Sequence, residues 1–393
     1  MKLAENPPAA VRPAPGDGWL NAWHVDPAVN RNYDFIDGLR GIAILMVICC
    51  HHFYVNPQSG PAVQFIGNIL GGCGRGVVLF FALSGFLIAW PFWKRKVNQS
   101  PQTTPPGYAR RRFWKIYPPL ALSAVLFATL QLVRAGDASY FPTAARWLTG
   151  LAFLVPVNGH LNPVMWSLAV EGQFYLFLPL FFLVCRRLRP QACLAMTGLF
   201  FLVIPVAVRI WLKTGPEFHP NIDPHFPAGL DAFFLGVLVA GLHNLNLIPK
   251  SWARLGCLGF VLWPLALLVS AGMTLAWGPQ TFWQDQGVDF LEKIASGLLL
   301  LLVADTSLPV VRWLCHPGLR WCGIISYEWY LFHQPIFYLF RFNLGPAGGN
   351  VLIYLEIMLG SLVTGLVIAA LVYRFFSLPL LKRGRKAPAP AKA

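Results

Sequence analysis

Residues 37–52 read DGLRGIAILMVICCHH, and the fold of the chain turns on how this stretch is read. From Ile42 to Cys50 it is unbroken apolar sequence, with Arg40 before it and His51 and His52 after it. A helix crossing a bilayer needs roughly 20 mostly apolar residues, and the segment 36–56 meets that need. Working outward, segments of the same kind recur at 69–93, 117–135, 163–185, 191–213, 229–245, 253–273, 290–306, 324–342 and 350–377. The reading predicts an all-α fold, a polytopic integral membrane bundle of about ten transmembrane helices. The apolar stretch 146–158 is too short to cross and is expected to be re-entrant or interfacial.

Composition agrees. Of 393 residues, 56% are hydrophobic and 12% charged, and mean hydropathy is +0.55, which is too apolar for a soluble domain of this size. Residues 1–33 are rich in Pro and Ala and lack a signal-peptide core, so a flexible cytoplasmic tail is expected there. Residues 34–379 are expected to form the membrane domain, and 380–393 a basic cytoplasmic tail. A net charge of +15 does not point to nucleic acid, because the cations cluster in particular loops.

With the N-terminus inside, one inner loop holds Lys94, Arg95, Lys96, Arg110, Arg111, Arg112 and Lys115, and the next holds Arg186, Arg187 and Arg189. Later inner loops hold Lys250 and Arg254, then Arg312 and Arg320. The opposite loops are poor in Lys and Arg, so the positive-inside bias places both termini in the cytoplasm. Anionic membrane lipid is the expected partner of that charge. The eight cysteines include no CxxC pair and read as buried thiols.

Ionisable groups inside a span are costly and point to function. Arg40 and His51 are eleven positions apart, which at about 100° per residue puts them on one helix face. Taken alone, the pair has two open readings: a snorkelling Arg with a packing His, or a site. In NPVMWSLAVEGQFY, Ser167, Glu171 and Tyr175 form a polar stripe at i, i+4 and i+8, next to Trp166. Glu171 is expected at the depth of His51, where a carboxylate would orient an imidazole. In ISYEWYLFHQPIF, Ser326, Tyr330 and His333 share a further face that, taken alone, reads first as packing and hydrogen bonding. Ser84-Gly85 reads first as small-residue helix packing. The basic entry at Arg111, Arg112 and Lys115 is either inner-leaflet charge or a site for the phosphates of a nucleotide-bearing donor.

These segments resemble the acyltransferase-3 family of membrane acyltransferases. The resemblance rests on the Arg40/His51 spacing, FF-x-x-SGF at Phe80–Phe86, RR-x-x-[RK]-I-x-P at Arg111–Pro118, WSL-x-x-E-x-x-FY at Trp166–Tyr175 and S-Y-x-x-Y-L-x-H-x-P at Ser326–Pro335. Lys115 stands where the family often has Arg, keeping the charge but not the planar fork. By resemblance, the chain is a bacterial inner-membrane O-acyltransferase with no permanently bound cofactor. It would take an acyl group, most often acetyl, from acyl-coenzyme A to a hydroxyl of a carbohydrate or glycolipid. Some relatives carry a soluble hydrolase-like domain after the membrane part; this chain is expected to leave no room for one and to act alone or with a separate partner protein.

The expected catalytic residues are His51 as general base, Glu171 as its orienter and Arg40 as a guide for the donor, with Arg111, Arg112 and Lys115 holding its phosphates. Ser84, Trp166, Ser167, Tyr175, Ser326, Tyr330 and His333 are expected to support the acceptor or the oxyanion, and a covalent acyl relay through Ser84 or His51 is the alternative to direct transfer. The rival class is a secondary transporter or lipid-linked sugar flippase using Arg40, His51 and Glu171 as a proton relay; the absence of an evident repeat counts against it. A non-catalytic acyl-CoA sensor is a third class. His219, Asp223 and His225 match no metal-ligand spacing and read as solvated loop residues, and His160 reads equally as lining an acceptor entrance or as an interfacial residue.

Overall fold

A computed structural model of the chain describes residues 17–24, 34–52, 60–153, 162–214, 230–278, 282–344 and 351–385. Among these residues every regular element is a helix. In chain order they are α1 (Asp34–His52), α2 (Pro61–Gly72), α3 (Gly76–Val97), α4 (Tyr108–Ala135), α5 (Tyr140–Leu148) and α6 (Trp166–Val184). There follow α7 (Pro190–Gly198), α8 (Ile204–Thr214), α9 (Asp231–Asn244), α10 (Ala253–Gly256), α11 (Gly259–Trp277) and α12 (Phe282–Leu300). The chain continues through α13 (Pro309–Leu314), α14 (Pro317–Ile324), α15 (Ser326–Leu344), α16 (Val351–Leu355), α17 (Ser361–Leu371) and α18 (Leu378–Arg385).

Among the described residues, seven helical stretches are long and apolar enough to cross a membrane: Asp34–His52, Pro61–Val97, Tyr108–Ala135, Pro163–Arg187, Pro190–Trp211, Lys250–Trp277 and Leu352–Gly384. The other three predicted spans also coincide with helices but fall short for physical reasons. At 14 residues α9 is only about 21 Å long. Asp285, Asp289, Glu292 and Lys293 interrupt the apolar run of α12. SYEWYLFHQPIFYLFRFNL, the whole of α15, carries too many polar groups. Of the predicted short stretch 146–158, residues 146–153 are described, running from the last turn of α5 to the 3-10 turn Leu151–Phe153, and 154–158 lie outside the described residues.

The chain divides into two compact units, residues 1–90 with 232–326 and residues 91–231 with 327–393. Lipid offers no hydrophobic drive for helix association, so close backbone approach through small residues has to supply the packing. The first unit shows this repeatedly. A Cβ on Gly38 would lie 2.0 Å from the Leu314 carbonyl oxygen, one on Gly41 2.2 Å from that of Leu319, and one on Gly323 1.8 Å from that of Asp37. The DGLRG sequence is therefore the surface on which α1 meets α13 and α14. Likewise a Cβ on Gly85 would lie 2.5 Å from the Phe233 carbonyl oxygen, so Gly85 is a point of close helix approach.

The second unit is held by larger side chains. Leu120, Phe127, Trp147, Met165, Leu168 and Phe332 form one buried cluster. Phe181 of α6 packs edge-on against Phe200 and Phe201, in the π-helical turn Leu199–Val203 that joins α7 to α8. Arg209 and Asp231 form a buried ion pair at 2.6 Å.

Candidate functional site

In the first unit, Arg40, Ile44, Val47 and His51 follow one another at helical spacing on α1. Ile44 and Val47 are fully buried, whereas Leu45 on the other side of the helix is 40% exposed. The face bearing Arg40 and His51 is thus turned inward, and both residues are half-buried. Arg40 is fixed there: its Nε donates to the Gly323 carbonyl at 3.3 Å and its Nη2 to Ser326 Oγ at 2.9 Å. Two residues that the sequence flagged separately, Arg40 and Ser326, are direct partners. Close by, Arg320 Nη2 pairs with Asp34 at 2.9 Å. Against the second half of α1, where Gly74 approaches Cys50 and Gly76 approaches Ala43, Arg75 pairs with Asp285 and, at 3.3 Å, with Glu292, whose carboxylate is fully buried.

In the second unit, α6 turns its polar stripe away from its exposed apolar side, where Leu176, Leu180 and Val184 lie. The Tyr175 hydroxyl donates to Glu171, and the Arg112 guanidinium lies 5.7 Å from the Tyr175 ring centroid. Tyr108 donates its hydroxyl to the Tyr175 carbonyl at 3.0 Å. The predicted donor loop and the predicted carboxylate are therefore joined through Tyr175. Buried Arg112 Nε has no hydrogen-bond partner among the described residues. Arg111 donates to the Pro106 carbonyl at 2.6 Å, and Lys115 is half-buried on α4.

A second polar group in this unit contains Ser167, Tyr330 and His333, all buried. The Ser167 and Tyr330 hydroxyls lie 2.8 Å apart, and both reach the Val164 carbonyl, at 3.1 Å and 2.9 Å. His333 Nδ1 lies 2.8 Å from the Tyr330 carbonyl and 3.1 Å from that of Trp329. Both neighbours are carbonyl oxygens, which only accept, so a proton on Nδ1 satisfies them. Trp166 stands apart from this group, 41% exposed on the other side of α6. His51 belongs to the first unit and Glu171 to the second.

The second unit also holds two cavities along α6. An apolar one of about 520 Å³ is lined by Phe127, Leu130, Tyr140, Pro163, Pro335 and Tyr338, with Arg134 at its edge. A basic one of about 320 Å³ lies by Phe182 and Arg186. Pro163 and Phe182 are separated by nineteen residues of helical chain, about 28 Å at the rise of an α-helix, so the two cavities sit at its opposite ends.

The sequence reading passed over Arg75, Glu292, Arg209 and Asp231. Glu292 carries the same signal as Glu171, a carboxylate within a predicted span. None of the eight cysteines, all of them among the described residues, is in a disulfide; two are buried and six half-buried. Among the described residues no group of three or more His, Cys, Asp or Glu is placed to hold a metal ion. His160, His219, Asp223 and His225 lie outside the described residues.

Fold and site define a class: a helical membrane protein with Arg, His and Glu on inward-facing helix surfaces. Residues 33–374 match the acyltransferase domain family, and the chain belongs to this acyltransferase-3 family. It is similar to O-acetyltransferase OatA of Staphylococcus aureus strain NCTC 8325, with 25% identity over 377 residues, covering 90% of this chain and 58% of that protein. A putative O-acetyltransferase of Staphylococcus aureus strain COL is 24% identical over 375 residues, with the same coverage. The chain thus spans 58% of the length of these curated relatives. No solved structure matches it.

Proposed function

We propose that the chain is a membrane-embedded O-acyltransferase that moves an acyl group, acetyl in the first instance, from acyl-coenzyme A to a hydroxyl of a carbohydrate, glycolipid or related acceptor. The observation that carries this reading is the inward face of α1, where Arg40 is clamped to Gly323 and Ser326 and shares its side with His51. Family membership and the names of the two relatives support it. Neutral His51 takes the proton of the acceptor hydroxyl as its oxygen attacks the thioester carbonyl. The carbon–sulfur bond then breaks, and the imidazolium returns the proton to the leaving thiolate.

Arg40, already oriented by two hydrogen bonds, guides the donor with little further loss of freedom. Arg111, Arg112 and Lys115 hold the donor phosphates. Glu171 is the proposed orienting carboxylate, and Tyr330, His333 or Ser84 would stabilise the oxyanion. Acyl-coenzyme A is a cosubstrate rather than a resident cofactor. The ten-span topology, with both termini cytoplasmic and the chain in a bacterial cytoplasmic membrane, belongs to the same proposal.

Proteoliposomes of purified protein test this class against transport. Label moving from radiolabelled acetyl-CoA onto a glycan or glycolipid is the expected result. Uptake of the acceptor in the absence of any acyl donor, with no transfer in its presence, would favour the transporter class instead.

A further inference from the structure

Where α3 ends, the chain turns back through a loop that meets the turn between α6 and α7. Between them lies the basic cavity of about 320 Å³, lined by Arg95, Lys96, Arg186, Arg187 and Arg189, with Thr103 as a neutral donor. No acidic residue lines it. Five cations around one small space repel one another, and an arrangement that holds them there needs an opposing charge. Charge placed only to bias membrane insertion has no reason to be built into a cavity wall.

This wall is built. Lys96 Nζ donates to the carbonyls of Cys185 and Arg186, at 2.6 Å and 3.0 Å, tying the two loops together and satisfying carbonyls at the end of α6. Arg95 Nε donates to the Gln102 carbonyl at 2.7 Å, which leaves its two terminal nitrogens as a fork. The loop leaves α3 through Gln99 at φ 51°, a left-handed position that glycine usually fills. The amides of Gln99 and Ser100 bond back to the carbonyls of Lys96 and Arg95, at 3.3 Å and 3.0 Å, closing the turn around that residue. α7 begins at Pro190 on the cavity wall, adding the positive end of its dipole.

The geometry points to a binding site for a phosphate group in this cavity, separate from the Arg111–Lys115 segment. The arginines suit a phosphomonoester or phosphodiester because each presents a planar fork to two oxygens, and the cluster suits a ligand carrying more than one negative charge. Two sources supply that chemistry, a soluble nucleotide and an anionic lipid headgroup. The inference does not depend on acyl transfer, because its test reads binding alone.

The full chain in phosphatidylcholine nanodiscs is titrated with 3′,5′-ADP in one arm. In the other, retention of phosphatidylglycerol is counted by native mass spectrometry. Wild type is compared with the triple variant Arg186→Gln/Arg187→Gln/Arg189→Gln, with single Arg187→Gln as a milder change, and with Lys250→Gln/Arg254→Gln as a control for basic charge elsewhere. The expected result is saturable binding weakened about tenfold or more in the triple variant and less in the single one, with the control unchanged. Loss in the nucleotide arm identifies a soluble ligand, and loss in the lipid arm a headgroup. Binding in neither arm, or equal loss in the control variant, overturns the site.

Discussion

At Gly323 a hydrogen atom decides whether two helices can meet, because the nearest atom to an added Cβ is a backbone oxygen 1.8 Å away that no rotamer change can move. Gly323→Ala is therefore expected to destabilise the protein by more than about 3 kcal/mol. Gly272→Ala in α11, where nothing lies within 4 Å, should be neutral or slightly stabilising. Thermal unfolding in detergent checks the contrast. Ser326→Ala removes the acceptor of Arg40 Nη2 and should cost about 1.5–3 kcal/mol, the range for a hydrogen bond to a charged group. A parallel fall in acyl transfer, restored by Ser326→Thr, is the accompanying expectation. The eleven-residue spacing made the shared face of Arg40 and His51 legible in the sequence. The partnership of Arg40 with Ser326 was not, because 286 positions separate them and only the folded chain closes that distance.

Among the elements, the short 3-10 helix Asp17–Ala22 was not singled out in the sequence, lying within Pro/Ala-rich residues with no periodic pattern. Leu20 is nevertheless buried, and Trp23 meets Trp321 of α14 edge-on at 5.5 Å. His24, which follows, has its imidazole held below its ordinary value of 6.5 by burial; Asp37 acts against this and Arg320 with it. A base depressed in the docked state binds protons better when released, so docking is fully present above about pH 6.5 and weakens as pH falls below it. Hydrogen exchange of the peptide spanning residues 17–24 should show that loosening in wild type and a smaller pH dependence in His24→Gln. The helices themselves were legible because apolar runs of sufficient length are a strong signal. The shortness of α9 and the charges of α12 are visible in the sequence too, whereas the partner that makes the buried Glu292 tolerable, Arg75, is not, because 217 positions separate the two.

On the scale of the whole molecule, each unit gathers predicted inner segments on one side of itself. In the first, Asp34 at the start of α1 pairs with Arg320. In the second, Arg110 donates to the Arg383 carbonyl, and Lys96 reaches the Arg186 carbonyl. The ten-span proposal therefore expects single cysteines placed at Leu188 and Ser307 in a cysteine-free chain to be protected from an impermeant thiol reagent in intact cells. A cysteine at Asp137 should be labelled. Labelling of residue 188 and protection of residue 137 would invert the topology. Charge bias made this arrangement readable, because it acts on loops one at a time. The basic cavity escaped that reading, since it joins two loops some 90 positions apart.

The central claim rests on one imidazole, and the most direct test is acyl transfer from radiolabelled acetyl-CoA by the purified protein in lipid, wild type against His51→Ala, with donor binding measured alongside. Removing a general base should lower turnover by about 10²–10⁴-fold while donor affinity is retained. A folded His51→Ala protein that transfers acyl groups at the wild-type rate would contradict the account.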